Sequence, residues 1–123
     1  MIELLPDLPS NVVGIEAVGE VSAEDYKNVL IPAVEVALSE QSKIRLLYVL
    51  GERFESFSAG AALQDTKLGF EHLRSWERMA VVTDAEWIGH AIKALGWMIP
   101  AEVRVFPTSE RAAAEGWVSG EGS

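Results

Sequence analysis

The chain has 123 residues, of which 49% are hydrophobic and 24% charged, a composition typical of one soluble globular domain. Ten Lys and Arg against nineteen Asp and Glu give a net charge of −9, which argues against nucleic acid as a partner because phosphate backbones are bound by clustered cations. The absence of cysteine excludes disulfides, thiolate nucleophiles and thiolate metal sites. We expect a cytoplasmic protein, since the first nine residues lack the basic segment of a secretory signal.

The chain opens with a predicted hairpin followed by a helix. Residues 2–5 and 12–18 are rich in apolar β-formers, and the Pro and Asn residues between them favour a turn. A helix is expected after Ser22, whose hydroxyl can cap its first turn. Pro32 interrupts the helical spacing of apolar residues and removes one amide donor, which predicts a kink near Asn28 or a split into two helices.

Strands and helices alternate through the rest of the chain. The apolar run at 44–50 is predicted to be the central strand, and a helix with weak propensity is predicted next, because it contains two glycines. The elements expected after residue 50 are helix 58–74, strand 79–82, helix 85–95, strand 103–106 and helix 109–118. This order predicts an α/β fold with a mostly parallel sheet, covering helices and one antiparallel strand at its start.

Four stretches of the chain together carry a family resemblance. They are VVGIEAVGEVSAEDYKNVLIPAVE (12–35), KIRLLYVLG (43–51), WERMAVVTDAEWI (76–88) and EVRVFPTSE (102–110). With them the chain resembles the SpoIIAA-like proteins, a bacterial branch of the STAS-type fold. The resemblance implies a mixed sheet of four or five strands with helices packed against it. We expect a single domain over residues 1–118 and a flexible tail at 119–123.

The resemblance also implies a class of function. STAS-type domains act in regulation through protein partners and are sometimes switched by serine phosphorylation, and the SpoIIAA-like branch is similar to lipid-binding folds. We therefore expect a non-enzymatic regulatory or binding module without a cofactor. STAS regulators of sigma-factor circuits carry an Asp-Ser-type phosphorylation motif directly after the central strand. Here residues 51–57 intervene before Ser58, which is the candidate phosphorylation position and the expected N-cap of helix 58–74.

Polar residues after strand 79–82 raise the question of catalysis. Thr83 and Glu86 have the spacing of a capping box, which places Asp84 in the first turn of the next helix. We interpret Asp84 as a cap or dipole partner and not as a general acid. His72 and His90 lie on different predicted helices without a helical metal-binding partner, so neither a metal site nor a catalytic residue is predicted.

The sequence suggests an apolar ligand site between the sheet and helix 58–74. A small apolar or amphipathic molecule or a lipid would bind there, and a mobile helix 58–74 would also let the protein associate peripherally with a membrane. The candidate lining residues are Phe54, Phe57, Leu63, Phe70 and Trp76. The alternative is a protein-binding phosphoswitch that uses Ser58. The sequence does not identify a protein partner, and it does not distinguish a monomer from a homodimer.

Overall fold

The computed structural model describes residues 1–61, 75–95 and 101–120, except for the side chain of Leu95. The described strands are β1 (Ile2–Leu4), β2 (Val12–Ala17), β3 (Gly19–Val21), β4 (Ile44–Leu50), β5 (Phe54–Phe57), β6 (Trp76–Thr83) and β7 (Glu102–Phe106). The described α-helices are α1 (Ala23–Asp25), α2 (Ile31–Glu40), α3 (Glu86–Leu95) and α4 (Arg111–Ser119). Residues 59–61 are also helical, so the predicted helix 58–74 begins as expected while the rest of it lies outside the described residues.

The main sheet has five strands in the order β1-β2-β4-β6-β7. The first strand pairs antiparallel with β2, and the pairs β2–β4, β4–β6 and β6–β7 are parallel. In β4 every residue except Arg45 is buried, because a parallel strand covered on both faces reads as a continuous apolar run. The predicted α/β fold, with a mostly parallel sheet and an antiparallel first strand, is confirmed.

A second, two-stranded sheet was not predicted. Strand β3 pairs parallel with β5, and Val21 lies opposite Phe57. No strand was predicted over residues 54–57, because the polar Glu55 and Ser56 between the two phenylalanines break any apolar pattern. The correction arises from pairing between segments far apart in the chain, which local periodicity cannot reveal.

The first helical segment has the predicted cap and the predicted interruption. The amide of Ser22 donates to the Asp25 carboxylate at 2.7 Å, and the Ser22 hydroxyl accepts from the Asp25 amide at 3.3 Å, which together form a capping box. A π-helix, Tyr26–Leu30, then separates α1 from α2, whose first turn contains Pro32. The missing amide of Pro32 explains why the regular α-helical bonding is disturbed over the preceding turn.

The two faces of the sheet are covered by different elements. On one face α2 and α3 contribute Val34 and Ile88 to the larger core cluster. On the other face α4 contributes Ala114 and Val118 to a smaller cluster with β4 and β6. The helices α2 and α3, which connect β2 to β4 and β6 to β7, therefore cover the same face. Crossover connections between parallel strands are right-handed, so connections that run in the same direction along the sheet place their helices on the same face.

The segment after β1 packs on the same face as α4, and its close approach is favoured by a glycine in β2. Leu5 and Leu8 pack on the smaller core cluster, and the amide of Leu5 donates to the carbonyl of Gly14 at 2.9 Å. A Cβ at position 14 would collide with Leu8 Cδ1, the end of a flexible side chain, and would lie 3.2 Å from Leu5 Cβ, which is fixed to the backbone and would have to shift. Gly14 thus permits the chain to cross directly over β2.

The capping box yields a prediction about stability. Asp25→Ala should lower the free energy of unfolding by about 1 kcal/mol, because the Ser22 amide and hydroxyl both lose their acceptor. Urea denaturation followed by circular dichroism measures this free energy. Glu24→Ala is the matched control, since Glu24 is an exposed acid in the same first turn. Equal losses in the two variants would show that the capping contact is unimportant.

Candidate functional site

An aromatic cluster stands beside the carboxyl half of β4, and we define it by Tyr48, Phe54, Phe57 and Trp87. The ring of Phe57 lies 4.9 Å from that of Phe54 and meets Tyr48 edge to face at 6.4 Å. Trp87, in the first turn of α3, meets Phe57 edge to face at 6.4 Å and is 58% exposed. Phe54 and Phe57 are half-buried. The cluster therefore runs from the core to the surface and offers open aromatic area to solvent.

The structure brings together two of the five predicted lining residues. Phe54 and Phe57 are neighbours, whereas Trp76 is 2% exposed at the start of β6 and lies opposite Ile44. Tyr48 lies opposite Val81, five residues further along β6, which corresponds to about 17 Å along the strand. Trp76 is thus a core residue at the opposite end of the strand from the aromatic cluster. Leu63 and Phe70 lie outside the described residues, and their lining role stays a prediction.

Trp87 is a site residue that sequence reasoning missed. The helical pattern grouped Trp87 with Ile88 on one apolar stripe. In the structure Ile88 is 6% exposed and Trp87 is 58% exposed, because adjacent helical residues point about 100° apart and only one of them can face the sheet. The available signal was this adjacency of two large apolar residues in a first turn.

Asp84 has a structural role, but with a different partner from the one predicted. Thr83 Oγ1 accepts from the Ala85 amide at 3.1 Å, and the Asp84 carboxylate reaches across to the turn that follows β7. There it accepts from the amide of Thr108 at 2.9 Å and from its hydroxyl at 2.5 Å. Asp84 therefore caps a 3-10 turn, Thr108–Glu110, and joins the ends of β6 and β7 instead of capping α3.

Ser58 begins the helical segment that follows β5. Its Oγ accepts from the Ala61 amide at 3.0 Å, and its own amide donates to the carbonyl of Val21 at 2.8 Å. The first bond is the N-cap contact that the sequence predicted for Ser58. The residue is half-buried, so Ser58 is not enclosed in the core.

A second surface feature, the mixed-charge pocket, lies at the carboxyl edge of the sheet on the side of α4. Its volume is about 250 Å³, and its walls include Glu16, Val49, Arg53, Val82, Thr108 and Arg111. These residues come from β2, β4, β6, the turn before β5, the 3-10 turn Thr108–Glu110 and the start of α4. Ligands of parallel sheets commonly bind outside the carboxyl ends of the strands. No local sequence motif predicts this pocket, because its polar residues are far apart in the chain.

The described residues contain no group of three or more His, Cys, Asp or Glu side chains that could hold a metal ion. His90 is exposed on α3, and His72 lies outside the described part of the chain. Within the same described ranges, no helix is long and apolar enough to cross a membrane.

Asp84 provides a pH-dependent test of its capping contact. Hydrogen bonds from the Thr108 hydroxyl and then from the Thr108 amide hold the pKa of Asp84 below its ordinary value of 3.8. A carboxyl with a depressed pKa stabilises the fold above its ordinary pKa, and this contribution is lost as the pH falls through the lower, folded-state value. Asp84→Asn should therefore lower the Tm at neutral pH, and the difference from wild type should shrink below pH 3.8.

Thermal unfolding of wild type and variant across this pH range measures the difference. Glu55→Gln, which replaces an exposed acid of β5, is the control and should lower the Tm less than Asp84→Asn does at neutral pH. A difference for Asp84→Asn that stays constant down to the lowest pH would contradict the capping role.

Comparison with known proteins agrees with this architecture. A crystal structure of an uncharacterized protein of the DUF3478 family with a SpoIIAA-like fold, from Shewanella loihica PV-4, superposes with a TM-score of 0.78. The two chains are 26% identical over 95% of this chain and 93% of that one. No curated protein matches this chain. A family model described as SpoIIAA-like matches residues 12–119. Since that match extends over most of the sequence, from β2 to the end of α4, the chain belongs to the SpoIIAA-like family.

Proposed function

We propose that the protein is a non-catalytic binding module that holds a small amphipathic ligand on the aromatic cluster. The main support for the proposal is that Trp87 is 58% exposed and contacts aromatic rings that continue into the core. A free-standing exposed tryptophan needs no explanation, whereas Trp87 forms with Phe57 and Phe54 a continuous, partly exposed aromatic surface beside the sheet. Such surfaces are typical of sites for apolar parts of ligands.

The expected affinity is moderate. A ligand that covers about 100 Å² of this apolar surface would gain about 2.5 kcal/mol at about 25 cal/mol per Å², with a similar gain from its own buried surface. Ordering the ligand reduces this sum. The aromatic cluster therefore suits a single alkyl chain or ring system held reversibly.

The net charge of −9 decides which amphipathic ligands are favoured. An anionic headgroup would be repelled at low salt, whereas a neutral or zwitterionic headgroup would not. A peripheral contact with membrane would follow the same rule, with preference for zwitterionic over anionic lipid. The ligand class we propose is thus a neutral or zwitterionic amphiphile.

Titration with lysophosphatidylcholine below its critical micelle concentration, followed by calorimetry, tests this proposal. Trp87→Ala should weaken binding about tenfold, the equivalent of about 1.4 kcal/mol, because the variant removes the outermost ring. Val36→Ala is the matched control, since Val36 is an apolar residue of α2 with 64% exposure. Lysophosphatidylglycerol should bind more weakly than lysophosphatidylcholine at low salt, and the gap should close as salt is added.

Two results would overturn the proposal. One is the absence of saturable binding to wild type with either lysolipid. The other is equal binding by wild type and Trp87→Ala, which would place the ligand elsewhere.

The position of Ser58 supports a second candidate function, a protein-binding phosphoswitch. A phosphate on its Oγ would stand at the start of a helix, where amide groups and the helix dipole favour negative charge. The modification would also replace the present bond from the Ala61 amide. A partner surface near β5 could then be gained or lost with phosphorylation.

Substitution at Ser58 separates capping from switching. Ser58→Ala should speed hydrogen exchange at the Ala61 amide, whereas Ser58→Asp should keep it slow, because Asp also accepts the early amide bonds of a helix. Ser56→Ala, on the exposed side of β5, is the control and should leave hydrogen exchange at the Ala61 amide unchanged. Mass spectrometry of the protein from its native cells shows whether Ser58 carries phosphate. Unmodified Ser58 under all growth conditions would remove the phosphoswitch from consideration.

A further inference from the structure

The mixed-charge pocket contains charged groups that are close to one another but not hydrogen-bonded. Glu16 Oε2 lies 4.0 Å from Arg53 Nη1, and Glu16 Oε1 lies 3.9 Å from Arg111 Nη1. Both distances exceed the range of hydrogen bonds. The Glu16 side chain is only 15% exposed, so its carboxylate has given up much of its hydration without gaining a direct donor among the described residues. Such a group is stabilised by any ligand that supplies one.

The two arginines differ in how firmly they are held. Arg53 donates from Nη2 to both oxygens of Glu3 at 3.1 and 3.2 Å. Arg111 approaches Glu115 at 3.5 Å and Glu16 at 3.9 Å without a hydrogen bond to the described residues, and its side chain is 40% exposed. Its planar donor fork is therefore available to an anionic group that enters the pocket.

We propose that the mixed-charge pocket binds a small zwitterion, with the anionic group on Arg53 and Arg111 and the ammonium group on Glu16. A simple anion would satisfy the arginines but meet the Glu16 and Glu52 carboxylates at the pocket wall. A simple cation would meet the two guanidinium groups. In a ligand with both charges, the anionic group faces the arginines and the ammonium group faces the carboxylates. This charge complementarity favours a zwitterion over a singly charged ligand.

The size of the pocket limits the ligand. A volume of about 250 Å³ corresponds to roughly eight water molecules at about 30 Å³ each, so a ligand of roughly ten non-hydrogen atoms or fewer fits. An α-amino acid and a phosphoethanolamine group both meet this limit and share the required pair of charges. Apolar Val49 and Val82 also line the pocket and suit contact with a short aliphatic part.

This site is separate from the aromatic cluster. Val49 and Val82 belong to the smaller core cluster on the face covered by α4, whereas Phe54 and Phe57 pack on the larger cluster of the opposite face. The zwitterion site therefore extends beyond the proposed function, and either one can fail without the other.

Amide chemical-shift titration of the full chain tests the proposal with L-alanine and O-phosphoethanolamine as probes, and acetate and ethylammonium as single-charge comparisons. At least one zwitterion should cause saturable shifts at residues 16, 51–53 and 108–111, and whichever binds identifies the source of the ligand. Arg111→Gln should weaken this binding about tenfold or more. Arg104→Gln is the matched control, because it makes the same charge change at a 52% exposed arginine outside the pocket.

Glu16→Gln distinguishes a zwitterion site from a plain anion site. It should weaken binding of the zwitterion and strengthen binding of acetate, since it removes the partner of the ammonium group and the repulsion of the anion together. The amide spectra of the variants verify that they remain folded. The proposal is overturned if neither zwitterion binds, if acetate binds wild type as well as the zwitterions do, or if Arg111→Gln binds like Arg104→Gln.

Discussion

Arg45 of β4 and Arg78 of β6 donate hydrogen bonds from the sheet to the carbonyls of residues 117 and 118 at the end of α4, and Arg45 also to that of residue 120 just beyond it. The two arginines face each other in the ladder, a repulsive arrangement on its own. It is stabilised because the carboxyl end of a helix carries partial negative charge and because Arg45 also pairs with Glu77 at 2.6 Å. Arg78 lies 5.2 Å from the centre of the Trp117 ring, which adds a cation–π contact. The end of α4 is thereby fixed over the amino half of the sheet.

The features at the opposite edge follow from this anchor. A helix of nine residues extends about 13 Å, so α4 begins over the carboxyl ends of the strands and places Arg111 beside Glu16. The turn before α4 is held by the bonds from Thr108 to Asp84. Most residues of the two candidate sites then lie on strand ends and helix starts, which hold side chains more accurately than free loops do. The mixed-charge pocket and the aromatic cluster differ because opposite faces of the sheet supply their walls.

Sequence reasoning located half of the aromatic cluster and none of the mixed-charge pocket. Phe54 and Phe57 stood out as large apolar residues among acidic ones, and that contrast is local. The sequence could not show whether Trp76 and Trp87 are buried or exposed, because a tryptophan near a strand or helix end suits both core and surface. Only packing shows which way each ring points. No sequence pattern indicated that Glu16, Arg53 and Arg111 are neighbours, since their proximity depends on the strand order.

The sequence by itself determined the element order, the central position of β4, the capping roles of Ser22 and Ser58, and the break that Pro32 imposes. Each of these depends on a few consecutive residues, where propensity, periodicity and capping chemistry act directly. Tertiary structure alone decided the pairing of β3 with β5, the partner of Asp84, the exposure of Trp87 and the grouping of charges around Glu16. These depend on segments brought together across the chain, and local patterns contain no information on which distant segment a side chain will meet.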